Sequence, residues 1–372
     1  MYFKQFLDEL CGCASYVIAS RETHEAAVVD PSINVQQYLD LLDERAFRLK
    51  YAIDTHVHAD HVSGARELCR RTGAELRLHE TAQVRYPFRP LHDGEDVEIG
   101  QLRLHVVHTP GHRPELISLL IVNPSRSPEP SMVLTGDSLL VGDVGRPDFG
   151  GGDASAQYES ITRLLRLPDW VGVFPGHFEG PCGKGMCGRP STTIGFERLY
   201  NPLLHLEREP FVSSLDGEVP ARPLNMVAIE ATNRGTEDMA WAMPQVQSNV
   251  PTVDPLQVQK LDGDTLVLDV REPGEFEAEH IQGAVNLPQA EIATRIGEIP
   301  HEKQIVVACQ GGSRSLRSAQ FLKQMGYENV VSLSGGTEAW IAKGLPTEGT
   351  GRYEDGPRIV ETEWVHAGAG GS

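Results

Sequence analysis

Residues 56–61 read His56-Val57-His58-Ala59-Asp60-His61, and the reading of this stretch decides the fold of the first half of the chain. Four side chains able to bind a metal stand within six residues, directly after the apolar run YAID at 51–54. Imidazole and carboxylate suit iron, zinc or manganese, and a strand-to-loop turn aims alternate side chains at one point. Helix capping or surface polarity would account for one or two such residues, but packing seldom gathers four. Further candidates recur at strand ends: His112 in HTPGHR, Asp137 in LTGDSL and His177 in VFPGHF. Each follows a glycine, which lets backbone and side chain approach a crowded centre. Any one of them alone reads as structural; together with the hexapeptide they read as a set.

The surroundings alternate between strand and helix. SYVIA (15–19) and EAAVVD (25–30) are β-branched strand runs, and residues 35–47 carry apolar positions at helical spacing. A polar loop from Asp54 feeds an amphipathic helix that Gly73 ends, followed by strands in AELRLH (74–79), LRLHVVHTP (102–110) and SMVLTGD (131–137). A helix over 156–167 and a strand at VGVFPGH (171–177) follow. After Asn201-Pro202 the periodicity weakens, and residues 205–250, with REP, EVPARP and AMPQ, read as an extension and linker. At Val253 a new alternation begins: strands TLVLDV (265–270) and QIVVA (304–308), a helix from Ser315 that Gly326 ends, then NVVSLSGG (329–336). The expected division is a first α/β domain at 1–204, the linker at 205–250, a smaller α/β domain at 251–350 and a tail at 351–372.

Composition narrows the partners. A net charge of -19 over 372 residues argues against nucleic acid and anionic membrane, which would repel the chain. Cationic side chains beside a site in such a chain stand out as anion binders. No run of about 18 apolar residues suggests a membrane span. The N-terminal stretch lacks the apolar run and cleavage site of a secretory signal. Six cysteines are too few for a disulfide scaffold, so a reducing, cytoplasmic setting is expected.

The second chemical signal is Cys309-Gln310-Gly311-Gly312-Ser313-Arg314-Ser315, between a strand and a helix. Backbone around Gly311 and Gly312 can curl so that the amides of Gln310, Gly311, Gly312 and Ser313 cradle the Cys309 sulfur. The helix dipole and Arg314 add positive potential, which favours a thiolate and accommodates an anion.

The histidine and aspartate set resembles the metallo-β-lactamase superfamily, whose HxHxDH motif and later His, Asp and His it reproduces in order over about residues 15–200. That resemblance implies an αββα sandwich. GRPDF at 145–149, with Arg146 and Asp148, and STTIGFERLYNP at 191–202 look like the persulfide dioxygenase branch. In that branch His56, His112 and Asp137 would hold one Fe(II) per chain, leaving open positions for a persulfide sulfur and O2. His58, Asp60, His61 and His177 would orient ligands and water, or help hold a second zinc as in hydrolytic relatives. If the thiol is glutathione, its carboxylates could be met by Arg146, Lys184, Arg189 and Arg198. Cys182 and Cys187 are too poorly supported by nearby ligands to form a metal knuckle.

Residues 253–345 are similar to single-domain rhodaneses through LDVREPGEFEAEHIQGAVNLP (268–288), the Cys309 loop and SGGTEAW (334–340). The resemblance makes Cys309 the nucleophile that carries a sulfane sulfur, cradled by Arg314 and the loop amides. Asp269, Arg271 and Glu272 read as scaffold. Four residues separate Cys309 from Arg314, where related phosphatases have five, so a sulfur donor is preferred to a phosphate ester. The leading expectation is a fusion acting in hydrogen sulfide metabolism on a small thiol persulfide, O2, and thiosulfate or sulfite. Two alternatives stay open: a dinuclear-zinc thioester hydrolase of glyoxalase-II type fused to a rhodanese, and a non-catalytic sulfur carrier or persulfide sensor. A homo-oligomer is compatible with either.

Overall fold

The computed structural model describes residues 1–8, 12–148, 150–178, 186, 188–215, 226–237, 250–258, 265–292, 295–324 and 326–350. The first domain is built on two six-stranded sheets. One takes its strands in chain order: β1 (Tyr2–Asp8), β2 (Cys13–Ala19), β3 (Glu25–Val29), β4 (Arg48–Ile53), β5 (Glu75–His79) and β6 (Arg89–Leu91). The other comprises β7 (Asp96–Ile99), β8 (Leu102–His108), β9 (Ile117–Val122), β10 (Met132–Gly136), β11 (Gly172–Pro175) and β12 (Thr192–Thr193), ordered β12-β11-β10-β9-β8-β7.

The period-two pattern of the strands decides what each face meets. In β2, Tyr16 and Ile18 point between the sheets, where they join Val29, Ile53, Leu104, Val106, Leu119 and Leu134 in one core. Val17 and Ala19 point outward, onto α1 (Gln36–Glu44) and α2 (Ala65–Thr72) through Tyr38, Leu41, Leu42 and Leu68. On the far side, Val133 and Val173 pack on α3 (Ala154–Leu164), α4 (Ile194–Tyr200) and α5 (Arg208–Leu215) through Ile161, Leu164, Ile194 and Phe211. Helices cover both sheets, which is the αββα arrangement. Gly73 ends α2 at φ +77, as its position after the apolar periodicity implies.

Within the expected extension and linker at 205–250, the described residues are largely helical. They contain α5 and α6 (Met226–Arg234), and both pack on the first domain. Helix α6 contributes Ile229, which packs with Val62 beside the histidine loop. Its short length and mixed composition hide this role, because only the contacts it makes define its buried face.

The second domain carries a parallel sheet of β13 (Thr252–Val253), β14 (Thr265–Asp269), β15 (Val285–Asn286), β16 (Gln304–Ala308) and β17 (Val330–Leu333), ordered β13-β17-β16-β14-β15. Both faces are covered, as an all-parallel sheet requires: Val307, Ala319, Leu322 and Tyr327 on one, Val306, Leu333 and Trp340 on the other. The helix α7 (Ser313–Gln324) follows β16, and α8 (Gly336–Ala342) follows β17. Among the described residues no helix is long and apolar enough to cross a membrane.

Candidate metal centre and sulfur-transfer loop

The loop after β4 and the turns after β8 and β10 bring His56, His112 and Asp137 to one point. His56 Nε2 lies 3.8 Å and His112 Nε2 3.6 Å from Asp137 Oδ2, and all three side chains are buried. The glycines preceding the later groups permit this crowding. A Cβ at residue 111 would stand 2.1 Å from Gln157 Oε1, one at 136 would stand 2.7 Å from Thr55 Oγ1, and one at 176 would stand 2.8 Å from Asp137 Oδ1.

The outer hydrogen bonds determine which atoms face the centre. Thr55 Oγ1 donates to Asp30 Oδ2 at 2.9 Å, so its contact with His56 Nδ1 at 3.0 Å is accepted from the ring, leaving the lone pair on Nε2. His112 Nδ1 donates to the Arg146 carbonyl at 2.8 Å, and its lone pair likewise falls on Nε2. His177 Nδ1 donates to Asp137 Oδ1 at 2.7 Å, which turns Oδ2 to the centre. His56 Nε2 and Asp137 Oδ2 are buried with no hydrogen-bond partner. Acceptor atoms held together in a dry site are stable only with a cation among them, so these residues fit a metal ion. Burial pushes His56 well below its ordinary value and His112 down to about 4, so both rings are neutral, as ligation demands. Burial works against the Asp137 carboxylate, but His177, His56 and His112 together hold it well below the usual carboxylate range.

The other members of the hexapeptide face elsewhere. His58 Nε2 lies 3.2 Å from Asp30 Oδ1; burial opposes its charge, but Asp30, Asp54 and Asp60 raise it to about 9. Asp60 Oδ2 meets His61 Nδ1 at 2.9 Å and His177 Nε2 at 2.8 Å. Cys13, at the start of β2, brings its Sγ to 3.1 Å from Asp60 Oδ2, 3.3 Å from His177 Nε2 and 3.7 Å from His61 Nδ1. Its sulfur is disulfide-bonded, which nothing in the cysteine count indicated.

Sequence reasoning missed the groups that hold the loop. Asn233 of α6 accepts from Ser63 N–H at 2.9 Å and donates to the carbonyls of His58 at 2.9 Å and His61 at 2.8 Å. Glu115 accepts from Val57 N–H at 3.1 Å. Gln157 accepts from His112 N–H at 3.0 Å and donates to the Ser138 carbonyl at 2.7 Å. No motif marks them, since one surrounding polar residue resembles another until the chain is folded.

The expected substrate cations divide. Arg146 is buried beside the centre, but its guanidinium is paired with Asp148 at 2.5 and 2.7 Å, and its carbonyl is the group that orients His112. Arg189 is exposed. Arg198 is a correction: it pairs with Asp169 and donates to the Leu165 and Leu167 carbonyls, at the end of β11 opposite Gly176 and His177. Helix α4 turns it toward the surface. Lys184, Cys182 and Cys187 lie outside the described residues.

In the second domain Cys309 ends β16, buried, and Gly312 N–H donates to its Sγ at 3.2 Å. Ser315 Oγ is 3.5 Å from the sulfur and is held by the Gly312 carbonyl and Ser332. The loop closes against the turn after β17: Thr337 N–H donates to the Cys309 carbonyl at 2.8 Å and Glu338 N–H to that of Gln310 at 3.1 Å. Gly336 has φ +60, and a Cβ there would stand 2.2 Å from the Cys309 carbonyl oxygen, so only glycine allows this approach. Gln310 accepts from Arg271 and donates to Glu338, while Gly311 stands exposed at the rim. Ser313 begins α7, whose N-terminal dipole end adds to the loop's positive potential. Arg314 forms a bidentate pair with Glu275 at 2.8 and 2.7 Å, a partner that the sequence did not mark. Asp269 and Arg271 form a buried ion pair, and Glu272 opens a short helix with a capping box, both scaffold roles.

Comparison with known proteins agrees with this division. The metallo-beta-lactamase superfamily profile matches residues 8–177, and the rhodanese-like domain profile matches residues 253–343. "Persulfide dioxygenase ETHE1, mitochondrial" of Bos taurus is 31% identical over 207 residues, covering 54% of this chain and 75% of that protein. The Homo sapiens protein of the same name is 29% identical, with 56% and 78% covered. The crystal structure of ETHE1 from Myxococcus xanthus superposes with a TM-score of 0.57 at 34% identity, covering 63% of this chain and 99% of that one. A metallo-beta-lactamase from Staphylococcus aureus covers 90% of this chain and 98% of its own, with a TM-score of 0.64 at 26% identity. The chain therefore belongs to the persulfide dioxygenase family of the metallo-beta-lactamase superfamily, with a rhodanese-like domain following in the same polypeptide.

Proposed function

We propose that the first domain oxidises a low-molecular-weight thiol persulfide, glutathione persulfide above all, at a single Fe(II) held by His56, His112 and Asp137. One persulfide, one O2 and one water give one thiol and sulfurous acid; the sulfane sulfur loses the four electrons that O2 gains. The observation that carries this reading is the pair of orphaned buried atoms, His56 Nε2 and Asp137 Oδ2, facing His112. A ferrous ion, when bound, supplies redox electrons and the open positions that a two-histidine, one-carboxylate set leaves. The protein's own share is orientation. Thr55 and the Arg146 carbonyl fix the tautomers of His56 and His112, and His177 turns Asp137. The burial of all three ligands keeps bulk water from competing with the substrate.

In the second domain the Cys309 thiolate would attack the sulfane sulfur of thiosulfate, forming a persulfide and releasing sulfite. An incoming thiolate would then take that sulfur, regenerating Cys309 and forming the small persulfide that the first domain consumes. The Gly312 amide and the α7 N-terminus stabilise the anionic sulfur in both states. Oxygen uptake with glutathione persulfide by the Fe(II)-loaded chain, with sulfite measured, tests the first half. Absence of uptake, alongside rapid thioester hydrolysis with two zinc ions bound, would replace it with the hydrolase reading.

A further inference from the structure

We infer that Arg317 of α7 binds the oxyanion end of thiosulfate at Cys309, the group that departs once the sulfane sulfur has been taken. The inference rests on the sulfur-transfer reading of the second domain and names the residue that selects the donor there.

The charge of the reaction sets the requirement. A Cys309 thiolate and thiosulfate bring three negative charges together. The thiolate attacks the sulfane sulfur, and a new S–S bond joins that sulfur to Cys309. The S–S bond of thiosulfate breaks, and its electron pair leaves with sulfite. A persulfide anion and a sulfite dianion result, so three negative charges persist from start to finish. The Gly312 amide and the N-terminal end of α7 face the sulfur that stays on the protein. The departing end needs a donor of its own.

Two guanidinium groups stand in the first turns of α7. Arg314 is committed, because both of its terminal nitrogens meet the Glu275 carboxylate at 2.8 and 2.7 Å. A cation already held by a bidentate partner has few donors left for a ligand. Arg317 lies three residues further along, where helical side chains share a face and tilt back toward the N-terminus. It is partly buried, and its Nε is buried with no hydrogen-bond partner. Among the described residues no ion pair engages it either. A guanidinium withdrawn from water without a partner is costly, and an arriving anion relieves that cost.

The groups around Arg317 show where its charge is felt. Burial disfavours the charged form, Asp60, Cys309 and Asp8 favour it, and Arg314 opposes it. Asp60 and Asp8 belong to the first domain and leave its Nε unengaged. Cys309 is the one reacting group in the set. The planar fork of an arginine matches two oxygens of a sulfur oxyanion, which a lysine ammonium meets only as a point charge.

The test is thiosulfate-to-cyanide sulfur transfer by the full chain, with the sulfur loaded on Cys309 read by mass after a single turnover. Arg317→Gln should lower kcat/KM for thiosulfate by roughly 10–100-fold, the loss of one charge-assisted contact, and carry most of it in KM. Arg317→Lys keeps the charge without the fork and should recover part of the loss, which also guards against a misfolded first variant. Asp8→Asn removes a first-domain charge that acts on Arg317 and should leave KM equal or lower. An unchanged KM in Arg317→Gln, a loss confined to kcat, or a rise of KM in Asp8→Asn matching that of Arg317→Gln would overturn the inference. An unaltered chain that takes no sulfur from thiosulfate would instead defeat the sulfur-transfer reading itself.

Discussion

The candidate metal centre and the Cys309 loop are built in opposite ways. The centre collects His56, His112, Asp137 and His177 from four separate turns, and each is oriented by yet other segments, including Asn233 of α6, which braces the loop carrying His56. The sulfur loop is one stretch, residues 309–315, whose own backbone donates to the sulfur it carries. A contiguous loop tolerates change elsewhere in the fold. A collected centre transmits any loosening of its supports to the ligands.

The largest effects should separate the two regions completely. Asp137→Ala removes the carboxylate that unites His56 and His112, and persulfide-dependent oxygen uptake should fall by more than about 100-fold with loss of bound iron. Thiosulfate–thiol transfer in the same variant should persist. Cys309→Ser should do the reverse, abolishing transfer while oxygen uptake continues. If either variant loses both activities while still folded, the two regions are not independent and the contrast fails.

Next in size is Asn233→Ala. It removes three hydrogen bonds to the histidine loop, and metal affinity should weaken by roughly 10–100-fold. Iron retained through dialysis against a graded chelator measures this. An unchanged affinity would show that the loop holds itself, as the Cys309 loop does. Glu275→Gln is a milder probe of the second region. It releases Arg314 from its bidentate partner, so the KM for thiosulfate should change more than kcat. An equal fall in both would point instead to a collapsed loop.

The smallest effect concerns neither site. His79 is buried and stacked on His108, and burial, then the neighbouring His108 charge, lowers it from 6.5 to about 4. The unfolded chain therefore binds the extra proton first as pH falls. Stability tied to His79 is complete above pH 6.5 and is lost progressively toward pH 4. The slope of the melting temperature against pH over that window should be shallower in His79→Gln, and an unchanged slope would discount the group.

What was legible in the sequence tracks this contrast. The strand, the glycine turn and the helix of the Cys309 loop could be read along the chain, because they depend on neighbours in sequence; the pairing of Arg314 with Glu275 could not. The hexapeptide and the Gly-His and Gly-Asp pairs announced a metal centre, because a crowded polar cluster needs those residue types however it is assembled. Arg198 misled, since a positive charge near a motif in the chain says nothing about which way a helix turns it. Helix α6 was hidden for the complementary reason: its value lies in Asn233, an ordinary residue whose partners stand 170 and more positions away.

By itself the sequence determined two α/β domains, the candidate donor groups and a candidate sulfur-carrying cysteine, all of which follow from local pattern and residue chemistry. Only the tertiary structure decided which nitrogen of each histidine faces the candidate centre and which groups orient it. It alone set the Cys13 sulfur against Asp60 and His177. Those outcomes depend on hydrogen bonds between segments distant in the chain, and direction in space is not encoded by spacing along it.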